Sequence, residues 1–435
     1  MFKVALTTLG CKVNQCDSAG IAAAIAARGI TLVPFEAHAD CYVVNTCTVT
    51  GRTDAQSRRL IRGAIRRNPA AAVLVTGCYA QRAPEELARM PGVRIVAGNG
   101  EKVRLAELLE KLAAGKDPQV QVGNIRNEKR FASLGATVVP GHTRAFLKIQ
   151  DGCDARCSYC IVPRVRGGSR SLPPEEVEQG IAALAGRDIR EVVLSGIHLG
   201  AYGRDLVPAT DLTGIVTRIA ERQPVGRLRL SSIEPREVTA ELLALMGSSG
   251  ILCRHLHIPL QSGDDGILTA MNRDYNAAFY RDLVRKVLAA VPGIAVGIDV
   301  MVGFPGETDK AFANTLRLVE ELPVAYLHVF PFSRRPGTPA AALPGEVPDA
   351  EKKRRVERLR TLGAEKRQAF AGTFIGAPLA VLIEGKKDPS TGCLTGFSDN
   401  YIPVLCRGAA EANRIVRFLP TAFRNGRLIA EAIRA

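Results

Sequence analysis

The sequence predicts an α/β chain in three parts: an N-terminal doubly wound parallel sheet, a central partial (β/α)6 barrel and a small C-terminal β-barrel. Three observations carry that expectation. Apolar runs of strand length alternate with helical periods through the first 115 residues, the pattern of a parallel sheet covered on both faces. The alternation restarts near residue 144 and gives six strand–helix units, too few to close a full (β/α)8 barrel. After residue 372 the helical period yields to short strands with Gly and Asp-Asn turns. A length of 435 residues also exceeds what one ordinary core serves.

FKVALTTLG (2–10) reads as a buried strand, and 18–28 as an alanine-rich helix opened by Asp17 or Ser18. Strands at 41–47, 71–78 and 94–98 follow, with helices at 54–67, capped by Thr53 or Asp54, and at 101–112. A polar, glycine-bearing stretch with an NEKR run then forms a connection. Strands of the second part fall at 144–150, 191–195, 227–231, 255–260, 294–302 and 325–330. Helices at 174–185, 212–222, 280–290 and 309–321 separate them. A second open doubly wound sheet competes with the barrel, which is preferred because polar residues recur at strand ends. A charged helix at 351–370 precedes LAVLIEG, LTGFSDNYIPVLC, RIVRFLP and RLIAEAI, the strands of the small barrel. The expected domains are 1–115, 141–372 and 373–435, with a linker at 116–140.

Basic residues number 58 against 43 acidic, a net +15 that favours a polyanionic partner, nucleic acid first; a generally basic enzyme is the alternative. Absence of Trp and 5% aromatic content argue against recognition by many stacked bases. No run approaches a membrane span, and the N-terminus lacks the apolar core of a signal peptide. A cytoplasmic protein with no membrane association is expected. Its eleven cysteines are therefore expected as thiols or metal ligands.

Cys153-x3-Cys157-x2-Cys160 follows the first strand of the second part. Zinc sites pair knuckles to reach four ligands, and no fourth Cys or His lies nearby. Three thiolates in one loop suit a 4Fe-4S cluster with one iron free of protein ligands. With Tyr159 before the last cysteine, the loop resembles the signature of radical S-adenosylmethionine (SAM) enzymes. That resemblance implies that the open iron chelates SAM and that the reduced cluster cleaves it to a 5′-deoxyadenosyl radical. It also implies cofactor contacts at strand ends: Ser195, Gly196 and His198 in SGIHLG, Ser231 and Glu234 in SSIEP, Gln261 in HIPLQSG, and VMVGFPGE at 300–307.

Cys11, Cys47 and Cys78 are far apart in sequence, yet each ends a predicted strand. Carboxyl ends of parallel neighbours share one edge, so the three thiols can converge there, as ligands of a second cluster or as small cysteines closing strands. LGCKVNQCDS, VVNTCTVT, VTGCYAQ, DGCDARCSYCIVPRVRGGSRS, DVMVGFPGE and FPFSRRPGTPA closely resemble the methylthiotransferases, radical SAM enzymes with two clusters. GFSDNYIPV resembles their RNA-binding TRAM barrel, and CKVNQ, NTCTVT and VTGCYAQ resemble the branch acting on N6-threonylcarbamoyladenosine (t6A) in tRNA. The resemblance implies two 4Fe-4S clusters, on Cys11, Cys47 and Cys78 and on Cys153, Cys157 and Cys160, with SAM as cofactor. One SAM methylates a sulfur on the first cluster; a second yields the radical that takes hydrogen from C2 of the adenine, and the methylthio group is transferred to that carbon. The implied substrate is the adenosine immediately 3′ of the anticodon, and an electron donor and a sulfur source are implied partners. Cys16 and Cys41 are expected to carry no ligand duty, and Cys253, Cys393 and Cys406 to be core cysteines.

Arg58, Arg62 and Arg66 recur every four residues as a basic stripe suited to RNA phosphates, or as a solvated face. Arg334 and Arg335 are expected near the active face, and Lys386 and Lys387 on the small barrel, as further RNA contacts. Competing readings keep the chemistry but change the target, to isopentenyladenosine in tRNA or a ribosomal-protein aspartate, or dispense with turnover, leaving an iron–sulfur RNA-binding protein.

Overall fold

The computed structural model describes residues 2–115, 119–138, 143–408 and 410–433. Its first body runs β1 (Lys3–Thr8), α1 (Lys12–Ala26), β2 (Thr31–Val33), β3 (Cys41–Thr46), α2 (Gly51–Arg67), β4 (Ala72–Gly77), α3 (Cys78–Arg82), α4 (Pro84–Ala88), β5 (Val93–Ala97), α5 (Leu105–Ala113) and β6 (Val120–Gln121). The strands are parallel in the order β2-β1-β3-β4-β5-β6. Side-chain alternation sends Tyr42, Val44, Val73 and Val75 against Ile61 and Ala64 of α2. Val43, Leu74 and Ile95 face the other way, onto Ile21 and Ile25 of α1 and Leu105 of α5. Both faces are thus covered, which is why β3 is buried at every residue.

Three local expectations are corrected. Helix α1 begins at Lys12, with Cys11 at its N-cap and no capping side chain, not at Asp17 or Ser18. Those polar residues lie inside the helix because their side chains have interior partners: Ser18 Oγ accepts from Thr8 Oγ1 and Asn45 Nδ2, and Asp17 meets three cations. Helix α2 is capped by Thr50, with Thr53 as its reciprocal partner in a capping box, so neither Thr53 nor Asp54 is the cap. Part of the expected linker, Val120–Gln121, pairs with β5 as a sixth strand. Residues 116–118 and 139–140 of that linker lie outside the described residues.

The central body comprises β7 (Arg144–Lys148), β8 (Gln150–Asp151), α6 (Val162–Arg166), β9 (Arg170–Ser171), α7 (Pro174–Ala185), β10 (Glu191–Ser195), α8 (Leu212–Arg222), β11 (Arg227–Leu230), α9 (Ala240–Ser248), β12 (His255–His257), α10 (Asp265–Ala270), α11 (Ala277–Ala290), β13 (Ala295–Val302), α12 (Asp309–Glu321), β14 (Tyr326–Pro331) and α13 (Asp349–Gly372). Two parallel triplets, β7-β10-β11 and β12-β13-β14, are joined by bridges at Leu228↔Leu252 and Ser232↔His257 into one open arc. The competing open doubly wound sheet is not formed. Strand β12 stops at His257, short of the expected 255–260, and α11 starts at Ala277 behind its Asn276 cap.

Alternate residues divide the arc. Ala145, Leu147, Val192, Leu194, Leu228, Leu256, Ile298 and Val300 pack outward into the helical layer. Lys148, Glu191, Ser195, Arg229, His255, His257, Asp299, Tyr326 and His328 take the opposite, concave side. A polar lumen inside an apolar sleeve results.

β15 (Leu379–Lys387), β16 (Leu394–Ser398), β17 (Pro403–Arg407), β18 (Ile415–Arg424) and β19 (Arg427–Ala432) close a five-stranded barrel. Leu379, Val381, Ile383, Val404, Phe418 and Leu428 fill it. Its turn through Ser398–Tyr401 caps the amino end of the central arc. Arg229 Nη1 donates to the Asp399 carbonyl at 2.8 Å, and Arg227 to the Phe397 and Ala380 carbonyls at 3.0 and 2.7 Å. The Arg144 guanidinium lies 4.5 Å from the Phe397 ring centroid.

The opposite, carboxyl end of the arc meets the first body through buried charge. Asp17 pairs with Lys102 and Lys148 at 2.7 Å and with Arg166 at 3.2 Å, while Arg166 also holds Asp151 at 2.7 Å. Burial alone would raise the Asp17 carboxyl; Lys102, Lys148 and Arg166 more than reverse this and hold it far below the carboxylate range. Nearby, Arg335 is 3% exposed and donates to Asp54 Oδ2 at 2.5 Å and Thr48 Oγ1 at 2.9 Å. The expectation of Arg335 as an RNA contact is corrected: burial and pairing make it a bolt between the two bodies.

Asp17→Asn leaves the three cations with one buried carboxylate and should lower stability by about 3–5 kcal/mol in chemical denaturation. Asp17 and Asp151 are both held low in the folded state. Their contribution is therefore complete above the ordinary carboxylate pKa of about 4 and lost as pH falls below it, a limb that Asp17→Asn should flatten. Arg335→Ala, which leaves Asp54 to Arg82, should cost about 3 kcal/mol by the same measurement.

Candidate functional site

The loop between β8 and α6 carries Cys153, Cys157 and Cys160. Backbone bonds fix it: Cys153 N donates to Gly167 O at 3.0 Å, Cys160 N to Cys157 O at 3.1 Å, and Ser158 N to Met271 O at 3.0 Å. Gly152, at φ +74°, passes so near Gly168 that a Cβ there would lie 1.8 Å from its carbonyl oxygen, so only glycine fits. Burial pushes the Cys160 thiol up to about 12, with Cys157 and Cys153 adding to the rise. The three sulfurs therefore share one electrostatic neighbourhood.

Around this loop stand the strand-end residues. His198 Nδ1 lies 3.4 Å from Cys153 Sγ, its Nε2 2.9 Å from Glu237, and its backbone N–H donates to Gln150 Oε1 at 2.7 Å. Arg273 Nη1 donates to Cys157 Sγ at 3.1 Å and pairs with Glu234. Tyr159 packs beside Met271, Phe304 and Phe332. A Cβ on Gly196 would come within 2.9 Å of Gln150 Oε1. The Ser195 and Ser231 hydroxyls and Gln261 Oε1 are buried without a hydrogen-bond partner, which in a native interior points to a ligand or water. Deeper in the lumen, Asp299 Oδ1 lies 2.9 Å from His257 Nε2 and 3.4 Å from His328 Nδ1, and the Tyr326 hydroxyl joins His255 to His257. The sequence reading missed Arg273, Glu237 and Gln150. Glu237 stands three residues after Glu234, but nothing local marks Arg273.

At the first body, Cys11 follows β1, Cys47 follows β3 and Cys78 opens α3 directly after β4. The register sets Thr8 beside Asn45 and Thr46 beside Gly77, so the three cysteines leave one sheet edge together. Gly10, at φ +101°, turns so close that a Cβ would sit 2.8 Å from Cys47 Cβ and 2.9 Å from its Sγ. Asn14 Nδ2 donates to Leu9 O at 2.7 Å and Thr46 O at 3.0 Å, tying the strand ends. Burial pushes the Cys47 thiol up to about 11, with Cys78 and Cys11 as further causes. Cys41 lies at the far end of β3, and Cys16 within α1; burial pushes both thiols up to about 12.

The two thiol groups share a wall. Cys78 is buried with Ile161 and Val165, and Ile161 is the residue after Cys160. Asn99 Nδ2 spans the same seam, donating to the Val165 carbonyl at 2.6 Å with Cys78 Sγ at 3.7 Å. Lys102, Lys148 and Arg166 outnumber Asp17 and Asp151 in the buried network, and Arg166 is influenced by the Cys78 and Cys11 thiols. Surplus positive charge beside three thiols suits an anionic thiolate-bound cluster, so the residues present fit such a group.

Of the basic stripe on α2, Arg58 is tied to the Tyr79 hydroxyl and Glu86, while Arg62 and Arg66 are exposed. Arg334 is exposed and donates to the Ala341 carbonyl. Lys386 and Lys387 are exposed and line a cavity of about 470 Å³ with Arg367, Phe397 and Arg427. No helix among the described residues is long and apolar enough to cross a membrane.

Residues 3–98 match the Uncharacterized protein family UPF0004, and residues 147–319 the Radical SAM superfamily. Threonylcarbamoyladenosine tRNA methylthiotransferase MtaB of Bacillus subtilis (strain 168) is 39% identical, covering 94% of this chain and 92% of its own. The protein of that name from Aquifex aeolicus (strain VF5) is 37% identical, covering 96% and 100%. The tRNA-2-methylthio-N(6)-dimethylallyladenosine synthase of Pelotomaculum thermopropionicum is 31% identical, covering 98% and 96%. Among solved structures, the radical S-adenosylmethionine methyltransferase TsrM from Kitasatospora setae, with tryptophan and a SAM analog, shares the fold at TM-score 0.60 and 17% identity over 89% of this chain and 80% of that one. With relatives of this identity matched over nearly their full length, the chain belongs to the radical SAM methylthiotransferase family.

Proposed function

We propose that this chain is a tRNA methylthiotransferase that places a methylthio group on C2 of N6-threonylcarbamoyladenosine beside the anticodon. The observation that carries the reading is the pair of three-thiol groups meeting at Ile161, at the facing carboxyl ends of two parallel strand systems. The relatives' names supply the substrate. Cys153, Cys157 and Cys160 would hold one 4Fe-4S cluster and Cys11, Cys47 and Cys78 the other. When bound, the central cluster and SAM supply a 5′-deoxyadenosyl radical, and the first cluster supplies the sulfur.

The chain's own residues do the rest. Arg273 donates a hydrogen bond toward Cys157 and is held in that pose by Glu234. His198 is oriented at three points, by Gln150, Glu237 and Cys153, and forms one side of the SAM pocket. Ser195, Ser231 and Gln261, whose buried polar atoms lack partners, offer them to the cofactor. Ile161 and Val165 keep the seam dry, protecting a reactive radical from water. Exposed Arg62, Arg66, Arg334, Lys386 and Lys387 supply phosphate contacts for the tRNA. An electron donor and a sulfur source complete the partners.

The test is nucleoside mass spectrometry of tRNA from a strain lacking the gene: the 2-methylthio derivative of t6A should vanish and t6A accumulate. Loss of a methylthiolated isopentenyladenosine instead would overturn the assignment. In anaerobic assays followed by mass spectrometry, Cys157→Ala should abolish 5′-deoxyadenosine formation while circular dichroism stays unchanged. Cys47→Ala should still cleave SAM yet give no thiolated nucleoside; full product from this variant would remove the first body from sulfur delivery.

A further inference from the structure

β12, β13 and β14 each send one metal-competent side chain to the concave face of the arc. Asp299 pairs with His328 in the β13–β14 register, and His257 lies on the other side of β13, paired with Gly297. Both imidazoles aim at one carboxylate oxygen: Asp299 Oδ1 is 2.9 Å from His257 Nε2 and 3.4 Å from His328 Nδ1. The two rings stack with centroids 5.0 Å apart, and the three ligand atoms all lie within 4.8 Å of one another. Metal–donor bonds of about 2.0–2.2 Å set neighbouring donors about 3 Å apart, so the carboxylate already stands at ligand spacing from each nitrogen.

The surroundings hold that arrangement. Gly297 has no side chain, and a Cβ there would overlap the Tyr326 ring, which therefore lies across β13 at this point. The Tyr326 hydroxyl is 3.2 Å from His257 Nδ1 and 2.8 Å from His255 Nε2. His257 is thus fixed through its second nitrogen while its first faces Asp299, the support that orients a metal-ligating imidazole. Among the described residues Asp299 has no lysine or arginine partner, so only the two imidazoles answer its charge. His257 is buried, but the Asp299 and His328 side chains are 24% and 60% exposed, which leaves an entry path and space for further ligands. None of the three adjoins in sequence a cysteine proposed as a cluster ligand.

We propose that His257, Asp299 and His328 form a mononuclear site for a divalent first-row transition ion, separate from the two thiol groups. Two imidazoles and one carboxylate suit zinc or ferrous iron and leave positions that water or another oxygen ligand fills. The probe is zinc chloride, added to anaerobically purified full-length protein with its iron in place. Anomalous diffraction on either side of the zinc absorption edge, a comparison that cancels iron, should show a peak between the three side chains. Titration against a chromophoric chelator should show one zinc taken up with the visible iron–sulfur spectrum unchanged. Asp299→Asn and His328→Ala should each weaken that uptake by roughly 100-fold, and Tyr326→Phe, which touches only the support, by roughly 10-fold. His328 is largely exposed, so its truncation spares the core and keeps the test valid if Asp299→Asn fails to fold. No peak at this place, zinc found only on cysteines, or a His328→Ala protein that binds zinc as tightly as wild type overturns the inference. The readout is the ion itself, so that failure leaves the proposed function standing.

Discussion

Five ionised side chains sealed between two parallel β systems govern this molecule. Asp17 comes from α1 and Lys102 from the stretch before α5 of the first body; Lys148, Asp151 and Arg166 come from the central arc. Each body contributes one carboxylate with a cation of its own, and Asp17 of the first body also meets two cations, Lys148 and Arg166, from across the seam. The bodies are joined where separation would strip buried charges of their partners, a penalty of several kcal/mol per ion. Joining them there brings both sets of strand carboxyl ends, and hence both thiol groups, to one place.

The arc then has two ends with different duties. At the carboxyl end the polar atoms of Ser195, Ser231 and Gln261 are left without partners, and Cys11, Cys153, Cys157 and Cys160 are at least partly accessible. At the amino end Arg144, Arg227 and Arg229 are paired with carbonyls or carboxylates, several from the C-terminal barrel. The lumen is therefore stoppered at one end and receptive at the other. Its sleeve of branched aliphatics supplies the cohesion that a charged interior cannot.

What was legible in the sequence follows from the range of the interactions involved. Cys153, Cys157 and Cys160 lie on one loop, so spacing alone groups them. Cys11, Cys47 and Cys78 needed the added rule that parallel strands share an edge, and the register of β1, β3 and β4 obeys it. The start of α1 was misplaced because its N-cap is Cys11, which offers no capping oxygen, while Asp17 and Ser18 resemble caps until their tertiary partners are known. Arg335 could not be distinguished from a surface arginine, because the carboxylate that buries it is 281 residues away in the chain. Arg273 was missed for the same reason: its sulfur partner is 116 residues distant.

The turn through Ser398–Tyr401 also dictates the order in which the molecule becomes whole. Arg229 is 1% exposed, yet the Asp399 carbonyl that it needs is made 170 residues later. On a ribosome the central arc emerges with its charged floor open and gains its stopper only when translation is nearly complete. An incompletely synthesised chain has a flooded lumen in which a carbon-centred radical would meet solvent. Only a chain carried through its last strands can close the amino end of the lumen.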